Sequence, residues 1–402
     1  MKKILIFCSI VLCLQIQYSA AQWVQVGPSN NITFYSLAIK DMVIFAGARF
    51  NGVFTSTNNG QNWTQTPMNN QIVYAIAAGS NYVFAGTADA GNGIYITSNY
   101  GVNWTGYSVN NQLVNCIGIS NSNVFVGTPG GVSRSTNNGQ TWVQTSMNIG
   151  NVASLLIKDS LIFAGTNAFG VYRSTNYGQN WIQDGLNYLF VSSLAYNGNN
   201  IYAGMCGGGI ALYLSTNNGV DWNPLGSFDQ CVHAIVFFSN NMIIGTQSPG
   251  VFISTDNGQN WTQKNEGMGS INILNLLIAN EYIFAGSEMN GLWRRPISEL
   301  IGIKPISFEV PSEYKLSQNY PNPFNPSSTI KFDIPKFSNV KIVIYSTTGQ
   351  EVFTLVNSRL EPGSYSVEWN ASNNPSGVYF YKISATGGAG EFTDVKKMVL
   401  LK

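Results

Sequence analysis

Few side chains in this 402-residue chain are placed to do chemistry. The first candidates are two carboxylates, Asp89 and Glu288, each shortly after a Phe-Ala-Gly run. Two carboxyl groups held about 5–9.5 Å apart serve as general acid and base, or acid and nucleophile, in glycoside hydrolysis. Nothing in the sequence fixes that distance, so both read first as solvated loop carboxylates and only weakly as catalytic residues. His233 is the one histidine. Alone it makes no histidine-rich metal site, and the nucleophile signature that a Ser-His-Asp arrangement needs is missing. A packed, hydrogen-bonded histidine is expected. Beyond residue 21 the cysteines are Cys116, Cys206 and Cys231, with no C-x-x-C pattern. An odd number leaves at least one without a partner inside the chain, whatever disulfides form. Cys116 and Cys231 lie in apolar strand patterns and read as small buried hydrophobes. Gly207-Gly208-Gly209 lacks the Lys and Ser/Thr of a phosphate-cradling loop. No metal and no cofactor is expected.

These residues must be positioned by a repeat. Ser56-Thr57-Asn58-Asn59-Gly60-Gln61-Asn62-Trp63 recurs as Thr97 to Trp104, Ser135 to Trp142, Ser174 to Trp181, Ser215 to Trp222 and Ser254 to Trp261. With Trp23 as the first of the series, successive tryptophans stand 38 to 41 residues apart. A period near 40 built of short strands points to a propeller or solenoid. Each period holds three runs of four to six β-branched or aromatic residues bounded by Gly, Asn or Ser, then the box, then tryptophan. That is strand grammar, with no useful helical periodicity. Calling the strands a, b, c and d, the a-b-c set occurs seven times, the last ending at Arg295, while a d strand follows a box only six times. The orphan Trp23 to Val26 is the missing seventh. Set beside the last c strand it closes a ring and removes the need for capping repeats.

Each box reads as a c–d hairpin turn. Asn58, Asn99, Asn137, Asn176, Asn217 and Asp256 accept turn N–H groups through their side chains. The glycine two positions on suits a positive φ, and the tryptophan covers the turn. These residues build scaffold. The pattern resembles the BNR or Asp-box repeat propellers, Ser-x-Asp-x-Gly-x-x-Trp, although Asn replaces Asp in every box but that of Asp256. That family spans sialidases, xyloglucan-type hydrolases, sortilin-like receptors and a photosystem assembly factor, so the resemblance implies a fold and leaves the activity open. A sialidase needs clustered arginines; of the propeller's Arg49, Arg134, Arg173, Arg294 and Arg295, three hold equivalent c-strand positions, and no Arg-Ile-Pro start is present.

After Pro296 the composition changes. Residues 301–315 read as a linker, and 316–402 contain six or seven short strands, the signature of a small immunoglobulin-like sandwich. Leu316 to Pro326, Ile344 to Gln350, Ser376 to Tyr379 and Lys396 to Lys402 closely resemble the C-terminal sorting domain of the type IX secretion system. The resemblance implies export across the outer membrane of a Bacteroidetes–Chlorobi-type bacterium, with the secretion machinery as partner. Residues 1–21 read as a signal peptide: Lys2 and Lys3, an apolar Ile4 to Leu14, then Ser19-Ala20-Ala21. The apolar run is too short to cross a bilayer of about 30 Å. Without Lys2 and Lys3 the 20 basic residues become 18 against 19 acidic, a net charge of −1. That near-neutrality excludes the basic footprint of a nucleic-acid binder.

The expectation is therefore an all-β protein: signal peptide 1–21, a seven-bladed propeller 22–300 closed by its N-terminal strand, linker 301–315 and sandwich 316–402. In propellers the d–a and b–c loops share one face, which makes them the expected binding face here. They carry Arg49, Phe50, Tyr107, Phe169, Tyr188, Phe190 and Phe228. Aromatics on a neutral, Asn-rich face suit a neutral glycan or a protein surface. The expected role is a secreted or surface-held, non-enzymatic binding module, with an extracellular glycoside hydrolase as the alternative.

Overall fold

The computed structural model describes residues 22–402 apart from 29–30, 90, 208, 227, 229, 239–240, 270, 301, 308, 373 and 388–389; the signal peptide expected at 1–21 lies outside the described residues. Seven four-stranded antiparallel sheets form the body, each in the order a-b-c-d. Blade one runs Phe34–Lys40, Val43–Ala48, Gly52–Ser56 and Thr64–Gln65. Blade seven is Ile273–Ala279, Tyr282–Ser287 and Leu292–Pro296, completed by Val24–Gln25 from the start of the chain. The register is Val24↔Arg294 and Gln25↔Trp293, so the ring closes as the tryptophan count implied. Strand a of every blade touches strand a of both neighbours; these strands line the axis. Strand b is sandwiched between blades and almost wholly buried, which is why it reads as a continuous apolar run ending in Gly. A Cβ at Gly47 would stand 2.7 Å from Val73 of the next blade, and one at Gly86 would stand 2.6 Å from Val114. Glycine there sets how closely blades approach.

The boxes fold as a common turn. Ser56 Oγ accepts the Gly60 N–H at 2.9 Å and donates to Asn58 Oδ1, which accepts the Asn62 N–H at 2.9 Å. The same pattern recurs around Asn99, Asn137, Asn176, Asn217 and Asp256. Two consecutive residues adopt positive φ, position four as well as the glycine: Asn59 at 54° and Gly60 at 75°. A Cβ on Gly60 would also lie 2.7 Å from the Phe284 ring of blade seven. The box is thus an inter-blade joint.

After strand c of blade seven, a short helix, Ile297–Leu300, buries Ile297 and Leu300 against blades six and seven. The stretch expected as a linker then departs from expectation. Ile303 is in the core of the C-terminal sandwich, and Lys304–Ser307 pairs antiparallel with Gly363–Asn370. Four residues including a proline are too short a signal to read as a strand from sequence. The sandwich packs two four-stranded sheets. One comprises Lys304–Ser307, Gly363–Asn370, Ser327–Ile334 and Lys315–Leu316; the other comprises Glu351–Leu360, Ser338–Ser346, Gly377–Thr386 and Glu391–Leu400. Its Asn322-Pro323-Phe324-Asn325-Pro326 loop is a clasp on the last strand. Phe324 is buried against Trp369, its N–H donates to Val399 O at 3.0 Å, and Asn322 Oδ1 accepts the Val399 N–H at 2.9 Å. The buried Tyr381 hydroxyl accepts the Asn319 N–H and donates to Ser317 O, both at 2.8 Å.

Candidate functional site at the mouth of the central tunnel

The b–c loops lie beside the entry to strand a in the same blade. Arg49 N–H donates to Thr33 O, Ala88 to Ile72, Asn167 to Asn151, Gln247 to Cys231 and Glu288 to Asn272. At the opposite end, Tyr100 of a box reaches Asp41 in the neighbouring a–b turn at 2.6 Å. The boxes and variable loops therefore occupy opposite faces.

On the variable face, strand a begins with an irregularity in its pairing. The register with strand b skips one residue between Phe34 and Ser36, Val73 and Ala75, Val152 and Ser154, Val191 and Ser193, Val232 and Ala234, and Ile273 and Asn275. The skipped residues are Tyr35, Tyr74, Ala153, Ser192, His233 and Leu274; Asn115 holds the position in blade three. A bulge re-aims a side chain out of the pleat. Tyr35, Tyr74 and His233 are half-buried, each preceded by a wholly buried core residue. They form a ring of unlike side chains at the inner edge of the loops.

Blades six, seven, one and two give this ring its polar character. The Tyr35 and Tyr74 rings lie side by side, centroids 5.3 Å apart. Burial pushes the Tyr35 hydroxyl up; Arg49 opposes that, while Tyr74 and the Glu288 carboxylate add to it. Burial pulls the His233 imidazole down, against the pull of Glu288. The charge of Glu288 thus acts on both Tyr35 and His233, and Asn272 Nδ2 donates to its carboxylate at 2.7 Å. Thr33 locks two loops together, its carbonyl accepting from Arg49 and its hydroxyl from Met289 N–H at 3.1 Å. Phe50, under the Arg49 guanidinium at 5.0 Å, and Met289 are more than half exposed.

The expected binding residues are not all in this group. Arg49 and Phe50 are, beside Glu288, one of the two weak catalytic candidates. Asp89 is turned to its own loop, accepting the Gly91 N–H at 2.9 Å and the Tyr95 hydroxyl at 3.3 Å; among the described residues it shares no hydrogen-bond partner with Glu288. Phe169 and Tyr188 are exposed on blade four and the loop that follows it, and Phe190 opens strand a of blade five. Tyr107 is half-buried against the core between blades two and three. Phe228 is a correction: it is 9% exposed and packs on Phe252 and Trp261, centroids 5.0 and 5.8 Å away. Its ring fills the space between blades that a loop position in sequence does not reveal.

The cysteines correct a second expectation. Cys206 ends strand b of blade five, Cys231 precedes strand a of blade six, and the two form a disulfide across the blade boundary. Cys231 is therefore no inert hydrophobe. Cys116 is the free thiol; burial pushes its pKa up to about 12, and it donates weakly to Val152 O at 3.8 Å. His233 stands beside the pair, its Nδ1 3.8 Å from Cys206 Sγ and 3.7 Å from Cys231 Sγ. Among the described residues this is the one trio of cysteine, histidine or acidic side chains close enough to share a metal ion. Sequence missed it because its members come from two blades, 25 residues apart. Clefts of about 260, 370 and 390 Å³ lie outside the Tyr35, Tyr74, Arg49 and Glu288 group. They sit between blade seven and the sandwich around Glu281 and Arg359, beside Arg134 and Gln179, and beside Tyr95 and Trp104.

Comparison with known proteins matches residues 318–400 to the secretion system C-terminal sorting domain and residues 252–263 to the BNR/Asp-box repeat. No curated protein matches the sequence. Among solved structures the chain is similar to PorZ of Porphyromonas gingivalis, an essential bacterial surface component of the type-IX secretion system. That match has a TM-score of 0.56 and 17% identity, covering 94% of this chain and 60% of PorZ. It is similar to YCF48 bound to D1 peptide, with a TM-score of 0.57 and 15% identity over 70% of this chain and 98% of that one. The GH74 xyloglucanase from Xanthomonas campestris gives 0.56 and 13%, over 78% of this chain and 59% of the enzyme. The chain thus spans about three fifths of PorZ and of the xyloglucanase, and at these identities the likeness is one of fold. The chain thus carries a secretion system C-terminal sorting domain matched at 318–400 and an Asp-box repeat matched at 252–263, the repeat lying in a ring of seven four-stranded sheets.

Proposed function

We propose that the propeller is a non-enzymatic binding module, presented outside the cell, that takes an uncharged glycan or a protein segment at the tunnel mouth. The observation that carries this reading is the paired, half-exposed Tyr35 and Tyr74, flanked by one positive and one negative side chain, Arg49 and Glu288. Stacking on such rings contributes about 0.5–1.5 kcal/mol per aromatic contact, and a single charge of each sign orients a ligand without demanding a charged one. Hydrolysis would need a second carboxylate near Glu288, and Asp89 is committed to its own loop. The fold neighbour solved with a bound peptide supports a protein ligand, and the xyloglucanase neighbour a polysaccharide.

The test is a glycan and peptide array on the purified protein, followed by calorimetry on the best ligand with Tyr35→Ala and Tyr74→Ala. Each substitution should weaken binding by roughly 3- to 10-fold, corresponding to about 1 kcal/mol. Release of sugar from any polysaccharide, lost on Glu288→Gln or Asp89→Asn, would establish the hydrolase and overturn this reading.

A further inference from the structure

We infer that Cys206, Cys231 and His233 form a binding site for a thiophilic divalent cation of the zinc type when the two cysteines are thiols, and that the disulfide seen here is the closed state of that site. This does not rest on the proposed binding role of the tunnel mouth.

Three observations carry it. The first is the ligand set: two sulfurs and one imidazole converge from two strand ends in neighbouring blades, with all three ligand atoms within 4.8 Å of one another. Bonds of about 2.3 Å to sulfur and 2.0–2.1 Å to nitrogen give a tetrahedral S···N edge of about 3.6 Å. The ring Nδ1 stands 3.8 and 3.7 Å from the two sulfurs, and Nε2 stands 3.7 Å from Cys231 Sγ as well, so that sulfur lies over the ring face. Parting the two sulfurs by rotation about a Cα–Cβ bond, with a turn of the imidazole about Cβ–Cγ that aims one nitrogen lone pair between them, completes the site.

The second is rigidity. Cys206 is paired with Phe190 at the end of strand b, and the Cys231 carbonyl accepts the Gln247 N–H at 2.9 Å. Val232, between Cys231 and His233, is wholly buried, and its carbonyl accepts the hydroxyls of Ser192 and Ser193 at 2.7 and 2.9 Å. A site held by strand ends keeps its geometry when the sulfurs separate. The third is access: Cys206 is half-buried, and Gly207 and Gly209 behind it have open space where a Cβ would stand. That leaves an entry path and a fourth position for water, the pattern of an open three-ligand zinc site.

The two states balance separately. Metal capture exchanges one divalent cation for two thiol protons, with no electron transferred. Closure converts two thiols to one disulfide, releasing two protons and two electrons, which a disulfide-donating oxidoreductase accepts by exchange. The chain is made with thiols, so the two outcomes compete for the same sulfurs.

The experiment uses the protein purified without residues 1–21, and so without Cys8 and Cys13, and carrying Cys116→Ser, which removes the free thiol among the described residues. After reduction with a phosphine, zinc is titrated against a chromophoric chelator and cobalt(II) is followed by its thiolate charge-transfer absorption; calorimetry checks that the propeller remains folded. One metal per chain is expected in the reduced protein and none in the disulfide form. His233→Ala should weaken binding about tenfold or more, given that even partners outside the ligand set change metal affinity by about 10–100-fold. Cys206→Ser should abolish the cobalt charge-transfer band. The inference is overturned by a folded, reduced protein that takes up no metal, by equal binding in His233→Ala, by binding to the disulfide form, or by loss of the propeller on reduction.

Discussion

Removing the Trp23 side chain should cost more than removing any of the other six repeat tryptophans. Trp23 is 2% exposed, whereas the tryptophans after the six boxes are all half-buried. Its indole N–H donates to Lys264 O at 2.6 Å and its backbone N–H to Glu266 O at 2.7 Å. The ring packs among Ile253, Met268 and Ile273. Truncating a buried Trp to Ala costs about 3–5 kcal/mol, and the carbonyl left without its indole partner adds about 1 kcal/mol. A half-buried tryptophan such as Trp142 removes less apolar surface from water, so about half that is expected. At about 2–4 °C per kcal/mol for a domain of this order of size, Trp23→Ala should lower the propeller transition by roughly 10 °C. Differential scanning calorimetry of wild type, Trp23→Ala and Trp142→Ala measures the difference directly. Were Trp23→Ala to lose no more than Trp142→Ala, the N-terminal strand would not be what holds blade seven, and the closure argument would fail.

Two further expectations concern single hydrogen-bonding groups. Burial pushes the Asp256 carboxyl up, but hydrogen bonds from the Asn260 N–H and amide and from Ser254 outweigh it and hold the pKa below the ordinary 3.8. A depressed carboxyl stabilises the fold above its ordinary pKa and loses that contribution as pH falls through the folded value. Asp256→Asn should remove this part of the acid slope. At neutral pH it should cost under about 1 kcal/mol, because blade five runs the reverse pair, Asn217 Nδ2 donating to Asp221 at 2.8 Å; chemical denaturation at pH 3 and pH 7 reads both. In the sandwich, Tyr381→Phe strands the Ser317 carbonyl and the Asn319 N–H. It should cost about 1–3 kcal/mol, seen as faster hydrogen exchange at Asn319 with the propeller amides unchanged.

Blade number and closure were legible because the tryptophan and the box must recur wherever the same joint recurs. Counting seven a-b-c sets against six boxed d strands left Trp23 to Val26 with one place to go, and Val24↔Arg294 is that place. The tunnel mouth was not legible in the same way. Tyr35, Tyr74 and His233 look like ordinary second residues of a strand until pairing shows the skipped register that turns them out of the pleat. The loop aromatics were found by position in the repeat, which cannot tell Tyr188, 90% exposed, from Phe228, pinned under Trp261. Cys206 and Cys231 gave no motif because their meeting depends on one blade lying against the next.

Closure by the first strand also imposes a timetable. Val24 and Gln25 cannot find their partners until Trp293 and Arg294 exist, some 270 residues later, and Lys304–Ser307 of the export domain follows almost at once. A chain cut short before blade seven therefore lacks both a sealed ring and the sorting domain. A chain that displays the sorting domain matched at 318–400 has therefore already made every strand that its propeller ring needs.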